Sequence, residues 1–364
     1  ARTFGLDALF REIGIYAHKG QLYEPVDRNS LLYYMEKPDG QILEEGITEA
    51  GAIASFIAAG TAYASHGTHM LPFYIYYSMF GLQRVGDQFW LAGDIKAKGF
   101  LLGATAGRTT LNGEGLQHQD GHSLLHMSTV PTTMVYDPAF GYEIATIVAD
   151  GLRRMYAEGE EIFYYLALYN ENHLMPAMPE GVEEGILKGL YKFKAGATGK
   201  KVKAHIFGSG PIIQSALKAQ ELLEKYGVSA DVWSATSYKL LRTDAIRCQR
   251  WNMLHPTEKP KQSYVEQILA KEKGTFVAVS DNLRIVCEQI APWVPGGLFT
   301  LGTDGFGRSD TRARLRRFFQ VDVESTVIGT LYALALKGEI EREVVAKAIK
   351  ELGVDPEKIQ PQIV

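Results

Sequence analysis

The stretch GYEIATIVADGLRRMYAEG, residues 141–159, is followed directly by EEIFYYLALYNEN, residues 160–172. In the first segment apolar residues recur at the spacing of a helix, and the segment ends at a glycine, Gly159. The second segment is a short apolar and aromatic run with a polar exit, which is typical of a buried strand. A helix that leads into a buried strand indicates a mainly parallel sheet with helices on both faces.

The same alternation extends through both halves of the chain. In the first half the sequence predicts a strand at residues 41–48, an Ala-rich helix at 50–65 and a strand at 70–80. A helix that leads into a strand follows at 87–105, and a further strand at 132–140. In the second half it predicts strands at residues 202–210, 229–236, 274–281 and 298–307, and helices at residues 211–227 and 343–353.

Between the two halves lies KFKAGATGKKVKA, residues 192–204, which is polar and rich in Gly and Lys, as linkers are. The sequence therefore predicts an α/β protein with two doubly wound domains, residues 1–191 and 205–364, joined by a linker at 192–204.

The composition excludes several classes of protein. The chain has 364 residues, is 46% hydrophobic and carries a net charge of −4, without a basic block, so a nucleic-acid partner is not expected. Its two cysteines, Cys248 and Cys287, lie far apart, which fits a reducing compartment. The most apolar stretch, Ala50–Ser65, is shorter than a membrane span, and residues 1–10 do not resemble a signal peptide. We expect a cytoplasmic protein without a membrane partner.

The stretch TLNGEGLQHQDGHS, residues 110–123, concentrates groups that can move protons. Glu114, His118, Asp120 and His122 lie between glycines, and a carboxylate next to a histidine can orient it and tune its pKa. A purely structural loop stays open as the alternative. The i, i+4, i+8 spacing of His118, His122 and His126 would suit zinc on a helix, but the glycines argue against a helix here. Hydrogen-bonded loop histidines are therefore the preferred interpretation.

Seven motifs together resemble a known family: EEGITEAGA (44–52), PFYIYYSMFGLQRVGD (72–87), GRTTLNGEGLQHQDGHS (107–123), YDPAFGYE (136–143), NENHLMPAMPEG (170–181), RWNMLHP (250–256) and LGTDGFGRSDTR (301–312). They are similar to the homodimeric bacterial pyruvate dehydrogenases, the thiamine-diphosphate-dependent first components of the pyruvate dehydrogenase complex. The resemblance covers the whole chain. It implies oxidative decarboxylation of pyruvate with acetyl transfer to the lipoyl group of the acyltransferase.

The resemblance also implies a domain arrangement. Residues 1–191 would form the pyrimidine-binding domain and residues 205–364 the transketolase-like C-terminal domain. Members carry a further domain that binds the diphosphate and Mg²⁺, with a GDG motif followed by NN, and this signature is absent here. We therefore expect no metal ligand in this chain. The cofactors would be thiamine diphosphate and Mg²⁺, with the metal ligands on the missing domain or on a partner chain.

The site residues carry over from the motifs. Glu49 matches the glutamate that hydrogen-bonds the aminopyrimidine of the cofactor, where a shared proton favours the tautomer that deprotonates the thiazolium carbon. Tyr77 and Phe80 match the aromatic wall of that pocket. A carboxylate buried against an aromatic ring is expected to have a raised pKa. Arg84 is expected near the pocket.

His118 matches the active-site histidine of the family, which would serve as the acid during decarboxylation and acetyl transfer. Glu114 and Asp120 are candidate partners that orient it, whereas His122 is either a second acid or a structural donor. His173 is predicted to have a surface role. The polar segment Ala17–Gly40 is predicted to act as a lid that gates access of substrate or of the lipoyl group.

The expected partners are a second copy, or a chain carrying the diphosphate-binding domain, and the lipoyl domain of dihydrolipoamide acetyltransferase. Two alternatives stay open. One is another thiamine-diphosphate-dependent 2-oxo acid decarboxylase or a transketolase-like enzyme. The other is a catalytically silent assembly module that completes the active site of a partner.

Overall fold

The computed structural model describes residues 9–26 and 34–363. The described part begins with a short helix and a parallel pair of two-residue strands: α1 Phe10–Ile13, β1 Ile15–Tyr16 and β2 Glu36–Lys37. Of the predicted lid, residues 27–33 lie outside the described residues. The predicted strand at residues 41–48 is wrong. Ile42 forms only an isolated bridge with Ile15, and Gly46 adopts a φ of +71°, which interrupts an extended run.

The first sheet has four parallel strands: β3 Phe73–Tyr77, β4 Phe100–Ala104, β5 Thr133–Tyr136 and β6 Phe163–Ala167. Their order is β3-β4-β6-β5. The helices of this half are α2 Glu49–Gly60, α3 Ala62–Ser65, α4 Ser78–Asp94, α5 Ser123–Ser128, α6 Gly141–Leu152 and α7 Glu183–Lys188. A π-helical turn, Arg153–Ala157, extends α6.

Both faces of this sheet are buried. On β4, Phe100 packs with Tyr136 and Tyr164 on the α6 face, whereas the next residue, Leu101, packs with the cluster formed by α2 and α4 on the opposite face. Successive side chains of a strand point to opposite faces, so a strand that is covered on both sides reads as a continuous apolar run. This explains why the run at residues 162–168 is a strand without polar alternation.

The second sheet has five strands in the order β11-β10-β8-β9-β7. Their bounds are β7 Tyr191–Lys194, β8 Val202–Gly208, β9 Val228–Ser234, β10 Thr275–Val279 and β11 Leu298–Leu301. The helices are α8 Ile213–Leu223, α9 Tyr238–Leu254, α10 Tyr264–Leu269, α11 Arg284–Glu288, α12 Arg312–Phe319, α13 Val323–Leu336 and α14 Arg342–Glu351.

Strand β7 is the one antiparallel strand of this sheet and pairs with β9. Lys192 to Lys194, predicted as the start of the linker, are therefore part of an edge strand. Lys192 pairs with Asp231 and Glu272, and Lys194 pairs with Glu221, so this edge strand carries charged residues and its polar composition resembles that of a linker. The predicted α/β fold with two helix-covered sheets is confirmed.

The predicted strand at residues 70–80 is shorter than expected, because α4 begins at Ser78 directly after β3. This abrupt change from strand to helix turns Tyr77 and Phe80 toward the same end of the sheet. Within the described residues, no helix has both the length and the apolar character that a bilayer span requires.

Candidate active site

Helices α2 and α4 bring the predicted pyrimidine-site residues together at the carboxyl edge of the first sheet. Glu49 is the first residue of α2, whose N-cap Thr48 accepts a hydrogen bond from the Gly51 N–H at 3.3 Å. Arg84 lies on α4, directly before Val85, where non-helical φ/ψ angles interrupt the helix. The guanidinium of Arg84 donates to Glu49 Oε1 at 2.8 Å. An ion pair therefore links the two helices at this edge.

The aromatic residues continue the cluster from this ion pair to His118. The Arg84 guanidinium lies 4.5 Å above the Phe80 ring. The His118 ring meets Phe80 edge-on at 4.9 Å and Tyr77 at 5.8 Å. The structure thus brings Glu49, Arg84, Phe80, His118 and Tyr77 into one continuous surface, which we call the Glu49–His118 cluster. Tyr77 is 44% exposed, so a ring face is available to a ligand.

The carboxyl group of Glu49 does not have the predicted raised pKa. Burial raises the pKa, but the hydrogen bond and the charge of Arg84 lower it more, and the net pKa lies below the ordinary value. The prediction was wrong because it considered burial against a ring and omitted the cation on the neighbouring helix. Oε1 accepts from Arg84, and no other side chain bonds Oε2 within the described residues.

His118 has one of its two predicted partners. Its Nε2 lies 3.6 Å from Glu114 Oε2, a distance that suits an ion pair with a protonated ring. Its Nδ1 is buried without a hydrogen-bond partner in the described part of the chain. The His118 side chain as a whole is 26% exposed, so a ligand beside Tyr77 can contact the ring, and the buried Nδ1 is a polar atom whose hydrogen bond is still unmade.

Asp120 contacts His122 and not His118. Its buried carboxylate accepts from the Ser78 hydroxyl and from the backbone N–H groups of His122 and Ser123, both at 3.0 Å. His122 Nδ1 lies 3.6 Å from Asp120, and Nε2 lies 2.9 Å from the Gln83 amide. Burial lowers the pKa of His122 despite the attraction of Asp120. These contacts favour the structural interpretation of His122.

The loop that carries His118 is held by the second half of the chain. The Arg308 N–H donates to Gln119 Oε1 at 2.7 Å, and Gln119 Nε2 donates to Leu111 O at 2.6 Å. Gly115 has a φ of +78°, and a Cβ there would lie 2.6 Å from Ser309 Oγ, so this close approach requires glycine. The motif at residues 301–312 therefore supports the motif at residues 107–123.

A buried polar network joins the two halves beneath this loop. Asp281, close after β10, accepts from the N–H and the hydroxyl of Thr109 at 2.8 and 2.6 Å, and from those of Thr110 at 3.0 and 2.6 Å. Asp137, directly after β5, accepts from the Tyr169 hydroxyl and, at 3.4 Å, from the Asn282 amide. Sequence reasoning missed this network, although an acid directly after a predicted buried strand was a usable signal.

Burial gives these carboxyl groups raised pKa values. For Asp137, burial raises the pKa to about 7, even though hydrogen bonds from Ser209 and Tyr169 lower it. For Asp281, burial again raises the pKa, opposed by Arg316 and by the two threonines. Their donors come from within the chain, so we interpret them as the joint between the halves.

The three histidines of the predicted zinc alternative do not form a metal site. His118 contacts the Phe80 ring of α4, whereas the His122 and His126 rings meet edge-on with their centroids 5.0 Å apart. Among the described residues, the one group with metal-like spacing is His205, Asp231 and Glu272. The Lys192 ammonium already lies 2.7 Å from Asp231 and 2.8 Å from Glu272, so a cation already occupies this position.

His173 is not the simple surface residue that the sequence suggested. It is partly buried, with Nε2 3.1 Å from Ala139 O and its ring edge-on to Phe140 at 6.2 Å. It lines a mostly apolar cavity of about 250 Å³.

Comparisons with known proteins place this geometry in a family. The family model described as the pyruvate dehydrogenase E1 component middle domain matches residues 1–176, and that of the transketolase-like C-terminal domain matches residues 189–322. The pyruvate dehydrogenase E1 component of Pseudomonas aeruginosa is 54% identical over 366 residues, which cover 99% of this chain and 41% of that protein. The chain belongs to the pyruvate dehydrogenase E1 family.

Other E1 components match similarly. The protein of Escherichia coli strain K12 is 51% identical, with 100% of this chain and 41% of that protein covered. The protein of Mycobacterium tuberculosis is 50% identical, with 100% and 39% covered. The chain therefore spans about two fifths of the length of the curated E1 relatives that it matches.

Solved transketolases share the fold of this E1 family member. The transketolase of Leishmania mexicana superposes with a TM-score of 0.64 at 17% identity, covering 98% of this chain and 45% of that one. A chain titled "Split gene transketolase, inactive beta4 tetramer" superposes with a TM-score of 0.58 at 16% identity, covering 92% of this chain and 97% of that one. At these identities the likeness concerns the fold alone.

Proposed function

We propose that this chain forms the pyrimidine-binding half of the active site of a pyruvate dehydrogenase, together with its C-terminal domain. The complete enzyme would decarboxylate pyruvate oxidatively and transfer the acetyl group to a lipoyl group. The observation that carries the proposal is the Glu49–His118 cluster, in which a carboxylate, two accessible rings and an imidazole with an unsatisfied nitrogen meet at one edge of the sheet.

The residues of this cluster fit an aminopyrimidine ring. Tyr77 and Phe80 offer flat apolar surface, which suits a heteroaromatic ring that must be held without being titrated. Among the residues that the structure describes, Glu49 Oε2 has no side-chain partner, so it can accept a hydrogen bond from a ring nitrogen. When bound, thiamine diphosphate would supply the carbon nucleophile that adds to the 2-oxo carbon.

Glu49 and His118 have different tasks in this proposal. Glu49 holds a proton shared with the ring nitrogen, and the neighbouring Arg84 sets how firmly the carboxylate keeps its charge. His118 delivers a proton at the substrate end, first where charge develops on the former carbonyl oxygen and later to the lipoyl sulfur. Glu114, 3.6 Å away, would stabilise the protonated imidazole.

We propose that the diphosphate and Mg²⁺ are bound by polypeptide outside these residues, in a second domain or on a partner chain. The relatives are more than twice as long as this chain, which supports such a division. A homodimer, or a partner that carries this domain, would then complete the site. The small residues of α2, including Ala50, Gly51 and Ala54, suit close backbone contact with such a partner. The lipoyl domain of dihydrolipoamide acetyltransferase would be the acceptor.

The domain boundaries and the lid belong to the same proposal. The predicted bounds, residues 1–191, 192–204 and 205–364, need one adjustment. Strands β7 and β8 lie partly within the predicted linker and both belong to the second sheet, so we assign the chain from Tyr191 onward to the C-terminal domain and the preceding residues to pyrimidine binding. The family-model matches, which leave residues 177–188 between them, support a division in this part of the chain.

The segment Ala17–Gly40 would gate the Glu49–His118 cluster. Hydrogen exchange that is equally slow with and without cofactor and substrate analogue would contradict the gating role.

Reconstitution tests the proposed function. We would mix the chain with the complementary diphosphate-binding half of an E1 component, thiamine diphosphate and Mg²⁺. The mixture would be assayed with pyruvate, 2-oxoglutarate and xylulose 5-phosphate as donors and with lipoyl domain as acceptor. We expect turnover with pyruvate alone among these donors.

The other outcomes identify the alternatives. Preference for 2-oxoglutarate or for the sugar phosphate would identify a different thiamine-diphosphate enzyme. Binding of the complementary half without turnover of any donor would identify a silent assembly module. Turnover by the chain without the complementary half would refute the division of the site between two polypeptide segments.

A further inference from the structure

A second cavity, of about 420 Å³, lies between the loop that carries His118 and helix α12. Leu116 of the loop forms one wall, and Arg308, Asp310, Arg314 and Phe318 contribute to the opposite side. None of the five residues of the Glu49–His118 cluster lines it. The cavity is therefore separate from the proposed cofactor pocket, although the same loop borders both.

The charged groups of this cavity do not neutralise each other. The Arg308 guanidinium lies over the Phe318 ring, 4.7 Å from its centroid, and forms no ion pair with a carboxylate of the described residues. Its Nε is buried and has no hydrogen-bond partner there. Asp310 is the one acid in the lining, and its carboxylate lies 3.9 Å from the Arg314 guanidinium, at the limit of an ion pair. Two guanidinium groups thus face one carboxylate.

Apart from Gly307 and Ser309, the remaining lining is apolar. Leu116 is 56% exposed, and Leu315 and Phe318 lie on the face of α12 that borders the cavity. Small-molecule sites typically combine apolar walls with a few charged groups that fix the orientation of the ligand. A guanidinium group presents its N–H donors in a planar fork that matches the oxygens of a carboxylate or a phosphate.

We propose that this cavity binds a small organic anion, a carboxylate or a phosphate monoester that also carries an apolar group. The anionic oxygens contact the donors of Arg308 and Arg314. The apolar part of the ligand packs against Leu116 and Phe318, next to the nearly buried Leu315.

The bound anion contacts the segment that holds the His118 loop in place. The Arg308 N–H donates to Gln119, the neighbour of His118, and Asp310 O accepts from the Gly113 N–H at 3.2 Å. A ligand that fixes residues 308–310 therefore also fixes both ends of the turn between Gly113 and Gln119. The site lies outside the chemistry of the proposed function, and its existence does not depend on that function.

Binding of defined probes to the 364-residue chain tests the proposal. The probes are phenyl phosphate, benzoate, inorganic phosphate and the uncharged benzyl alcohol, and the measurements are titration calorimetry and the methyl resonances of Leu116 and Leu315. We expect saturable binding of phenyl phosphate or benzoate, with shifts at both methyl groups. The stronger of the two probes tells whether the anion is a phosphate or a carboxylate. Inorganic phosphate should bind more weakly, since it lacks the apolar group.

Two substitutions and a matched control sharpen the test. Arg308→Gln should weaken the binding of phenyl phosphate about tenfold, and Arg314→Gln several-fold, because each removes charged donors. Arg247→Gln makes the same change of charge at an exposed arginine of α9 outside the cavity, and should leave the affinity within about twofold of the parent value. The Arg314 side chain is 79% exposed, so Arg314→Gln keeps the fold even if Arg308→Gln does not.

The proposal would be overturned by any of three results. Benzyl alcohol could bind as tightly as phenyl phosphate, which would mean that the cavity does not select charge. Folded Arg308→Gln and Arg314→Gln chains could bind like the parent. The probes could shift resonances of Tyr77 and Phe80 while the Leu116 methyl groups stay unchanged.

Discussion

Two carboxylates of this chain, Glu49 in the candidate site and Asp281 in the joint between the halves, have opposite environments. Glu49 is partly exposed, accepts one side-chain hydrogen bond, and has a pKa lowered by the cation of Arg84. Asp281 is fully buried, accepts four hydrogen bonds, and has a pKa raised by burial. The two pKa shifts thus have opposite directions, and the raised pKa belongs to the residue that accepts four hydrogen bonds from within the chain. Hydrogen-bond saturation, more than the presence of a pKa shift, separates the joint between the halves from the candidate site.

The comparison has its sharpest test in Glu49→Gln. In the reconstituted enzyme, we expect deuterium exchange at the thiazolium carbon to slow by about 10³- to 10⁴-fold, because the amide cannot share the proton that the ring nitrogen requires. The measurement is NMR of the cofactor proton, and the thermal midpoint of the variant should match that of the parent.

Glu161→Gln is the control for this substitution. This substitution also breaks an ion pair, since Glu161 lies 2.7 Å from Lys96, but the pair is exposed and lies away from the Glu49–His118 cluster. Deuterium exchange at the thiazolium carbon should therefore keep the parent rate. An unchanged exchange rate in Glu49→Gln would remove Glu49 from the site.

Substitutions in the buried network around Asp281 should change the stability of the fold and not the rate of a step at the Glu49–His118 cluster. Asp281→Ala leaves four donors of Thr109 and Thr110 without an acceptor, and we expect it to lower the free energy of unfolding by about 3–5 kcal/mol. Urea unfolding measures this loss. Asp87→Ala on the exposed face of α4 should change it by less than about 0.5 kcal/mol. Equal stabilities of the two variants would contradict the role of the network.

Asp137 should make stability depend on pH. Its pKa in the folded chain is raised to about 7 from an ordinary 3.8, so the folded state keeps a proton that the unfolded state releases between these values. Its stabilising contribution is complete below the lower pKa and is lost as the pH rises to the higher one.

We therefore expect the free energy of unfolding of the parent to fall with pH in this window more steeply than that of Asp137→Asn. Across this window the free energy of unfolding of the parent should fall by up to about 4 kcal/mol more than that of Asp137→Asn. Urea unfolding from about pH 4 to about pH 8 tests it, with Asp94→Asn at an exposed position as the control. Parallel curves for parent and Asp137→Asn would show that Asp137 does not titrate here.

His118→Ala should have a smaller effect than Glu49→Gln, because water can replace a proton donor at an accessible position. We expect lipoyl acetylation by the reconstituted enzyme to slow by about a hundredfold. Single-turnover acetylation measures it. His126→Ala, at an exposed ring in α5, should acetylate at the parent rate. A parent rate in His118→Ala would show that another group is the acid.

The smallest expected effect is a change in the pKa of the Glu49 carboxyl group. Arg84→Gln removes the hydrogen bond and the charge that lower the pKa of Glu49, so this pKa should rise relative to that of the parent. Carbon NMR of the Glu49 carboxyl group follows it. Arg153→Gln, at an exposed ion pair far from the cluster, should leave the titration unchanged. A constant pKa in Arg84→Gln would mean that Arg84 is not what lowers the pKa of Glu49.

Much of the fold could be predicted, because helix and strand periods are local properties of the sequence. The buried strand at residues 163–167 and the helix before it follow from their apolar patterns alone. The failures are places where a distant partner decides. Asp281 bonds Thr109 across 172 positions, and Arg84 reaches Glu49 across 35, and no periodicity records such pairs.

The site divides in the same way. The resemblance of the motifs led to Glu49, Tyr77, Phe80 and His118, which the structure brings together. It did not indicate that Asp120 serves His122, because the deciding contact is with Ser78 at the start of α4. It also could not indicate the lowered pKa of Glu49, because that depends on the direction of one guanidinium group.

The hydrogen bond from Arg308 to Gln119 has a consequence for synthesis. The two residues are 189 positions apart, so the ribosome produces the turn around His118 long before the residues that fix it. At about 5–20 residues per second, many seconds pass between the two events. The first sheet can fold co-translationally during this delay, but its histidine loop acquires its final shape only after Arg308 has been synthesised. Termination before residue 308 would thus yield a folded first sheet with an unfinished turn around His118.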